Sequence, residues 1–541
     1  MKLSFKALAL ASAMAVATPS AYAQEVIANP FSDVRVRQAI AYAIDMETIA
    51  ETLYEGRVIL ADSMIPNGSF KADGLNDYAY DPEKARALLA EAGWDEDYVV
   101  DVMFYYGDQI TLDLMTVMQA YLADVGVQMT YRKMEGDPAQ LTAVADPDGD
   151  TSVVAWDLAY GAKAALVMQE YYSVYADGES AYTPGNATRN ELLGRINGTA
   201  NIEEQIAAFK DFEQFENVEL SDIPLYYQQL YIFESDRLDR NGGLYGNDQF
   251  NYDWGILNWE VTPDADGNKV LYTNKGPIQV FFTPWLNPGL QIASKIVFDR
   301  LLTADGSLVP TGGQLAEAYT VSDDGLTITF DMRDGATWHD GAPVTAEDVV
   351  WSLQTAMIGA PINAVMANTL TSIEGAAAFK AGDADSVSGI SVEGDIVTIQ
   401  LATIDPSVLV TFTQFAILPK HLLENVDPLE LQQDAFWQNP IGSGPFRVEE
   451  VQMNDFTRFV PYEGYWGGVA SFDEIVAFPS EDVDPNVVKN AGAGRLDFGF
   501  TKSVSDVASL EAMDNMRVIG ADIPYTRSLR VNAYPNRPVN N

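Results

Sequence analysis

A run rich in Asp and Gly, Pro263 to Lys269, interrupts this chain near its middle, and the apolar pattern beyond it starts afresh. Segments of this composition make turns and linkers, because Gly reaches positive φ without strain and Asp and Asn bond to nearby backbone. It is the best linker candidate in the sequence. At 541 residues the chain is far beyond the ~250–300 at which a single hydrophobic core stops growing, so two or more domains are expected.

The first half reads as alternating helices and strands. Val36, Ala39, Ile40, Ala43 and Ile44 recur at i, i+3, i+4, i+7 and i+8, one face of a helix with Ser32 as its N-cap. Asp81 caps a second helix, in which Pro82 suits the first position, Ala85, Leu88, Leu89 and Ala92 line one side, and Gly93 makes the stop. Val99 to Tyr106 reads as a strand, Ile110 to Val125 as a helix stopped by Gly126, and Val127, Met129 and Tyr131 alternate as a strand. Asp137 to Thr151 and Tyr182 to Asn201 have the polar, Gly-bearing texture of loops. A helix from Ile202 to Glu216 then leads into an apolar strand, Ile223 to Phe233, which completes an α/β lobe.

Beyond the linker, Val280 to Phe282 is a short apolar strand, and Ile328, Phe330 and Met332 alternate after an Asp324-Gly325 turn. Thr345 to Asp348 has the form of a capping box. Val397 to Leu401, Phe446 to Phe459 and Glu474 to Phe478 give this half its β-rich character.

The first 23 residues set Lys2 and Lys6 ahead of an apolar run, Ala7 to Ala17, and an Ala21-Tyr22-Ala23 site, the layout of a cleavable secretory signal. A mature chain starting near Gln24 is expected. No later stretch approaches the ~20 apolar residues of a membrane helix. The sequence has no cysteine, which excludes disulfides, thiolate metal sites and cysteine nucleophiles, and also the residue a lipid anchor would use. A free periplasmic protein is the expectation. With 32 basic against 78 acidic residues the net charge of −46 argues against nucleic acid or an anionic membrane as partner.

Specific segments carry a resemblance. Ser322 to Phe330, Arg333-Asp334-Gly335, Trp338 to Val349, Ile417 to His421, Pro440 to Phe446 and Gly494 to Asp497 follow one another as in the bacterial extracellular solute-binding proteins of family 5, the peptide and oligopeptide class of importer-binding proteins. Asp33 to Ile40 and Asp81 to Ala85 resemble signatures from that family's C-terminal half, yet here they come first. The resemblance therefore implies a circularly permuted chain whose ends lie side by side, since permutation requires neighbouring termini. It implies an α/β, two-lobed periplasmic-binding-protein fold with an inserted third subdomain. One lobe would span residues 25–218 and the other 219–541, with the subdomain near 306–437. A single covalent hinge near Glu219 to Pro224 would remain.

Function in such a protein is capture: two lobes hinge shut on a ligand and a membrane importer recognises the closed form. The resemblance implies a small-molecule or peptide ligand, the transmembrane subunits of an ABC importer as partners, no cofactor and a monomer. Peptide-binding members anchor the ligand's α-amino group with an aspartate shortly after a strand and a tryptophan. The matching stretch here is Val153 to Gln169, where no acid occurs between Leu158 and Gln169 and the only charge is Lys163. A lysine repels an ammonium and attracts a carboxylate, so Lys163 is the first candidate for ligand binding, a solvated loop residue being its competing role. Trp156, Tyr160, Trp285 and Asn287 are further candidates; core packing competes for the aromatic residues, which would otherwise suit stacking on sugar rings. An oligosaccharide or carboxylated solute is thus the alternative to an oligopeptide. A periplasmic hydrolase is the alternative from another class, but no Ser-His-Asp or metal-ligand spacing is present. His339 and His421 fall in turn-like signature segments, and Gly442-Ser443-Gly444 reads as a turn that brings two backbones close.

Overall fold

The computed structural model describes residues 25–135, 149–165, 167–172, 175, 180–242, 255–264, 266–276, 283–286, 295–479, 486–501 and 503–539. The expected secretory segment, the strand expected at Val280 to Phe282 and Asn287 lie outside the described residues.

Local signals account for most elements of the first half. The helix Val34–Ala43 buries Val36, Ala39, Ile40 and Ala43, but its cap is Asp33 rather than Ser32: Asp33 accepts from Arg35 N, while Ser32 ends a preceding 3-10 turn. In the helix Pro82–Ala92, Asp81 accepts from Lys84 N and Gly93 closes the C-terminus at φ 74°. The stretch Tyr182 to Asn201, read as loop, contains a helix, Ala187–Asn197, capped by Asn186. Its few apolar residues include Leu193 and Ile196, enough to seat it on the helix Ile202–Glu219 but too few to show a stripe.

Among the described residues, ten strands form one continuous sheet, to which Ile59–Leu60 adds an eleventh strand against Asp222–Ser235. Two of them are long, Asp222–Ser235 and Met516–Val531, and they pair antiparallel along almost their full length. One end of this pair continues through Leu158–Ala164 and Val99–Phe104 to Gln128–Lys133. The other continues through Phe498–Thr501 and Val270–Gly276 to Glu474–Pro479, Phe456–Pro461 and Phe446–Gln452.

The apolar residues divide at the middle of the long pair. Ile223, Leu225, Tyr226, Leu529 and Val531 belong to one core with Val36, Ile40, Leu114 and Met118. Leu230, Ile232, Ala521, Ile523 and Tyr525 belong to a second core with Trp285, Phe330 and Trp338. Between the cores the register slips: Asp522 faces Gln229 and Thr526 faces Tyr227, so Ile523 to Tyr525 bulge opposite Gln228. Pro524 lies in the bulge, where its missing N–H costs the ladder nothing.

These two cores correct the expected domain map. The chain passes between lobes twice, once on each long strand, rather than through one hinge near Glu219 to Pro224. Residues from Thr526 onward pack with the first lobe, not with 219–541. Arg537 pairs with buried Asp157 through Nε to Oδ1 at 2.5 Å and Nη2 to Oδ2 at 2.8 Å, and Ala533 N donates to Tyr182 O. The Pro263–Lys269 run is no boundary either. It is a tight turn in which Asp264 Oδ1 accepts from the N–H groups of Asp266 and Asn268, both at 2.9 Å, inside the second lobe.

The first and last described strands, Val26–Ala28 and Asn536–Pro538, pair antiparallel, and Val539 N donates to Glu25 O at 2.8 Å. The expected neighbouring ends are observed. The expected inserted segment carries its own four-stranded sheet, Ala316–Val321, Thr327–Met332, Ile396–Gln400 and Ile390–Glu393, and a helix, Ala346–Ile358, opened by the Thr345/Asp348 capping box. Its core is continuous with that of the second lobe.

The glycine turn also matches its reading. A Cβ on Gly442 would lie 1.7 Å from Val297 O, and one on Gly444 2.4 Å from Ile296 O. His339 brackets the turn: its Nδ1 accepts from Gly442 N at 3.1 Å and its Nε2 donates to Gly444 O at 2.9 Å. Burial lowers its pKa to about 4, so the ring is neutral and serves as a structural clip.

Candidate functional site

Lys163 sits near the end of the strand Leu158–Ala164, opposite Thr526. The period of two sends Leu158 and Tyr160 into the first lobe's core and Ala159 and Lys163 to the other face, against a third apolar cluster. There the Lys163 ammonium lies 5.5 Å from the centroid of the Tyr175 ring. Asp222, Arg530 and Glu170 are the charges that act on it. Burial lowers its pKa to about 8, with Asp222 opposing that shift. Burial raises Asp222 to about 6, held down chiefly by Lys163 and then Arg530. Beside them is a cavity of about 20 Å³, the size of one water molecule, lined by Asp222, Tyr175, Tyr172, Glu213, Glu216 and Asp62 among others.

The aromatic candidates take other places. Trp156 is buried against Tyr182, ring centroids 5.4 Å apart. Tyr160 shares a hydrogen bond of 2.9 Å with the Tyr226 hydroxyl, which donates to Tyr54 Oη at 3.1 Å, all three buried. Trp285 is fully buried in the second lobe, stacked on Phe415 with Nε1 donating to Ala416 O at 2.7 Å. Core packing therefore accounts for all three, and Lys163 is not brought together with Trp285.

The lobes meet across a second space of about 190 Å³. Pro66 to Phe70 and Met168 form its first-lobe wall, Gly306 and Ser307 its second-lobe wall, and Asp522 to Pro524 of the bulge its floor. Approach is close, since a Cβ on Gly68 would come within 2.5 Å of Ser307 Oγ. Leu308 and Val410 from the second lobe join Phe70, Met168 and Phe209 in the third apolar cluster. Gln205 Nε2 donates to Pro406 O at 2.9 Å. Arg57 holds Glu511 with two bonds of 3.1 and 2.7 Å, and this ion pair lowers the Glu511 pKa.

Sequence reading missed Asp222, Arg530 and Tyr175. Asp222 and Arg530 are a polar residue at the head and one near the tail of apolar strands, which alternation flags as facing away from a core but does not place beside Lys163.

Among the described residues no His, Asp and Glu group has the grouping of a metal site, and no helix is long and apolar enough to cross a membrane. The sequence model of the bacterial extracellular solute-binding proteins, family 5 Middle, matches residues 8–177 and 311–541. The chain belongs to this family. A Brucella ovis protein named as an ABC transporter peptide-binding protein is 29% identical over 226 residues, 42% of this chain and 40% of that protein. The dipeptide-binding protein of Escherichia coli is 35% identical over 137 residues, 24% of this chain and 25% of the relative. A lactococcal OppA complexed with an endogenous peptide aligns at 21% identity over 42% of this chain and 44% of that one, with a TM-score of 0.36. The chain thus spans about two fifths or less of the length of these curated relatives.

Proposed function

We propose that this protein is the periplasmic capture component of an ABC importer. It binds a small solute, by default an oligopeptide, and holds the solute's carboxylate with Lys163. It catalyses no reaction and acts as a monomer. The observation that carries this reading is the pair of long strands that join two separate apolar cores through a register slip, the layout needed for two bodies to hinge over a ligand. Family membership and the names of the relatives agree with it. Burial of Trp156, Tyr160 and Trp285 in cores weakens the stacking argument for the oligosaccharide alternative, which then rests on the missing acid.

The order of the segments, and the pairing of Val26–Ala28 with Asn536–Pro538, support a chain in which the family's two halves are exchanged.

A thermal-shift screen against peptides, amino-acid derivatives, oligosaccharides and carboxylated solutes tests the capture reading. A ligand at a hundred times its Kd stabilises the folded state by about 2.7 kcal/mol. We expect peptide hits that vanish when the C-terminal carboxylate is amidated, survive acetylation of the amine, and vanish in Lys163→Met. Dependence on a free amine, or a hit indifferent to Lys163→Met, overturns the assignment of Lys163. Turnover of any ester, glycoside or peptide, abolished by one cleft substitution, overturns the assignment as a binding protein alone.

A further inference from the structure

Asp222 stands at the head of a long strand, 5% exposed, with Oδ1 accepting from Ser528 Oγ at 3.2 Å. Its Oδ2 is buried and has no hydrogen-bond partner among the described residues. Tyr175, 1% exposed, lines the same cavity, and its hydroxyl is likewise without a partner among them. A buried carboxylate oxygen in this state is costly unless a donor reaches it.

The other acids around the cavity are engaged. Glu213 accepts from Ala72 N at 2.6 Å and meets Ser63 Oγ, Glu216 accepts from Arg189 Nε at 2.6 Å, and Asp62 lies 2.6 Å from the Lys71 ammonium. Two cations act on Asp222. Arg530, on the neighbouring strand, donates Nη2 to Ala162 O at 3.2 Å. Lys163 stands over the ring of Tyr175, 5.5 Å from its centroid, and Tyr175 in turn lines the cavity beside Asp222.

We propose that Asp222 is the resident counter-ion of Lys163, and that a ligand carboxylate binds by displacing it. The proposal rests on Lys163 being the ligand anchor. Without ligand, the ammonium turns toward Oδ2 through the cavity. When a carboxylate arrives, the ammonium turns outward, and Asp222 is left with Ser528, Arg530 and a strengthened tendency to take up a proton. Capture then favours ligands whose carboxylate outcompetes a buried internal acid, and it discriminates against neutral solutes of the same shape.

The test uses the full mature chain with its lysines reductively dimethylated with a carbon-13 reagent, the Lys163 resonance being assigned by its loss in Lys163→Arg. In Asp222→Asn the pKa of Lys163 should fall by about one unit as its opposite charge is removed. Acetate should shift the Lys163 resonance at a lower concentration in Asp222→Asn than in the parent. An unchanged Lys163 titration in Asp222→Asn overturns the counter-ion, and an unchanged acetate response overturns the competition. A Lys163 resonance that acetate moves in neither protein overturns Lys163 as anchor and leaves the capture fold untouched. Should Asp222→Asn fail to fold, the parent decides: its Lys163 resonance should show a second inflection near pH 6 as Asp222 protonates, and a single inflection overturns the proposal.

Discussion

Glu213 offers the sharpest test of the interior described here. It lies on the helix Ile202–Glu219, buried, with its carboxyl wedged between Ser63 Oγ and the N–H of Ala72. Burial raises its pKa from 4.5 to about 8. The folded pKa is above the unfolded one, so the stability this proton confers is complete below about pH 4.5 and is lost as pH rises through 8. The loss accrues at about 1.4 kcal/mol per pH unit, or about 3 kcal/mol between pH 5 and 7. Glu213→Gln keeps the shape, its amide oxygen accepting from Ala72 N and its amide nitrogen donating to Ser63 Oγ, but carries no titrating group. The variant should match the parent at pH 5 and exceed its stability by about 3 kcal/mol at pH 7. Urea unfolding of both proteins at pH 5, 6, 7 and 8, followed by tryptophan fluorescence, measures that difference. Asp222 and Asp299, raised by burial to about 6 and about 7, and His339, lowered to about 4, affect both proteins alike and cancel. Stability curves that stay parallel across this range would refute the buried, protonated Glu213.

Trp285→Ala should cost about 3–5 kcal/mol by leaving a cavity beside Phe415, read as a lower urea midpoint with ligand selectivity unchanged; lost binding at unaltered stability would return Trp285 to the ligand site. A chain reopened within the Asp264–Asn268 turn and joined from Val539 to Glu25 by a short glycine linker should fold to the same circular dichroism spectrum and melt within a few degrees of the parent. Failure of that relinked protein to fold would count against exchanged halves.

Much of the fold was legible because its signals are local. Asp81, Pro82 and Gly93 bracket a helix by capping chemistry that needs no distant partner. Ile328, Phe330 and Met332 show a buried strand face through alternation alone. The Gly442-Ser443-Gly444 turn was recognisable as a close approach, although which backbone approaches it, Ile296-Val297, was not. Asn29 shows the limit: its side chain donates to Asn532 O and Tyr534 O, a contact no local pattern encodes. The site was less legible. Lys163 stood out as a lone charge, yet its surroundings come from residues 59 and 367 positions away, Asp222 and Arg530, brought beside it by strand pairing.

Sequence alone determined the family signatures, the α/β character, the absence of thiol chemistry and the adjacency of the chain ends. Tertiary structure decided where the lobes divide. Composition marked Pro263 to Lys269, because Asp and Gly favour a turn wherever it falls. The actual division runs across two long strands at Gln228-Gln229 and Asp522 to Pro524, a polar interruption that reads equally well as an irregularity within one lobe. A strand has no local reason to leave one core for another; the boundary is set by which side chains each half can bury, and that depends on partners hundreds of residues distant.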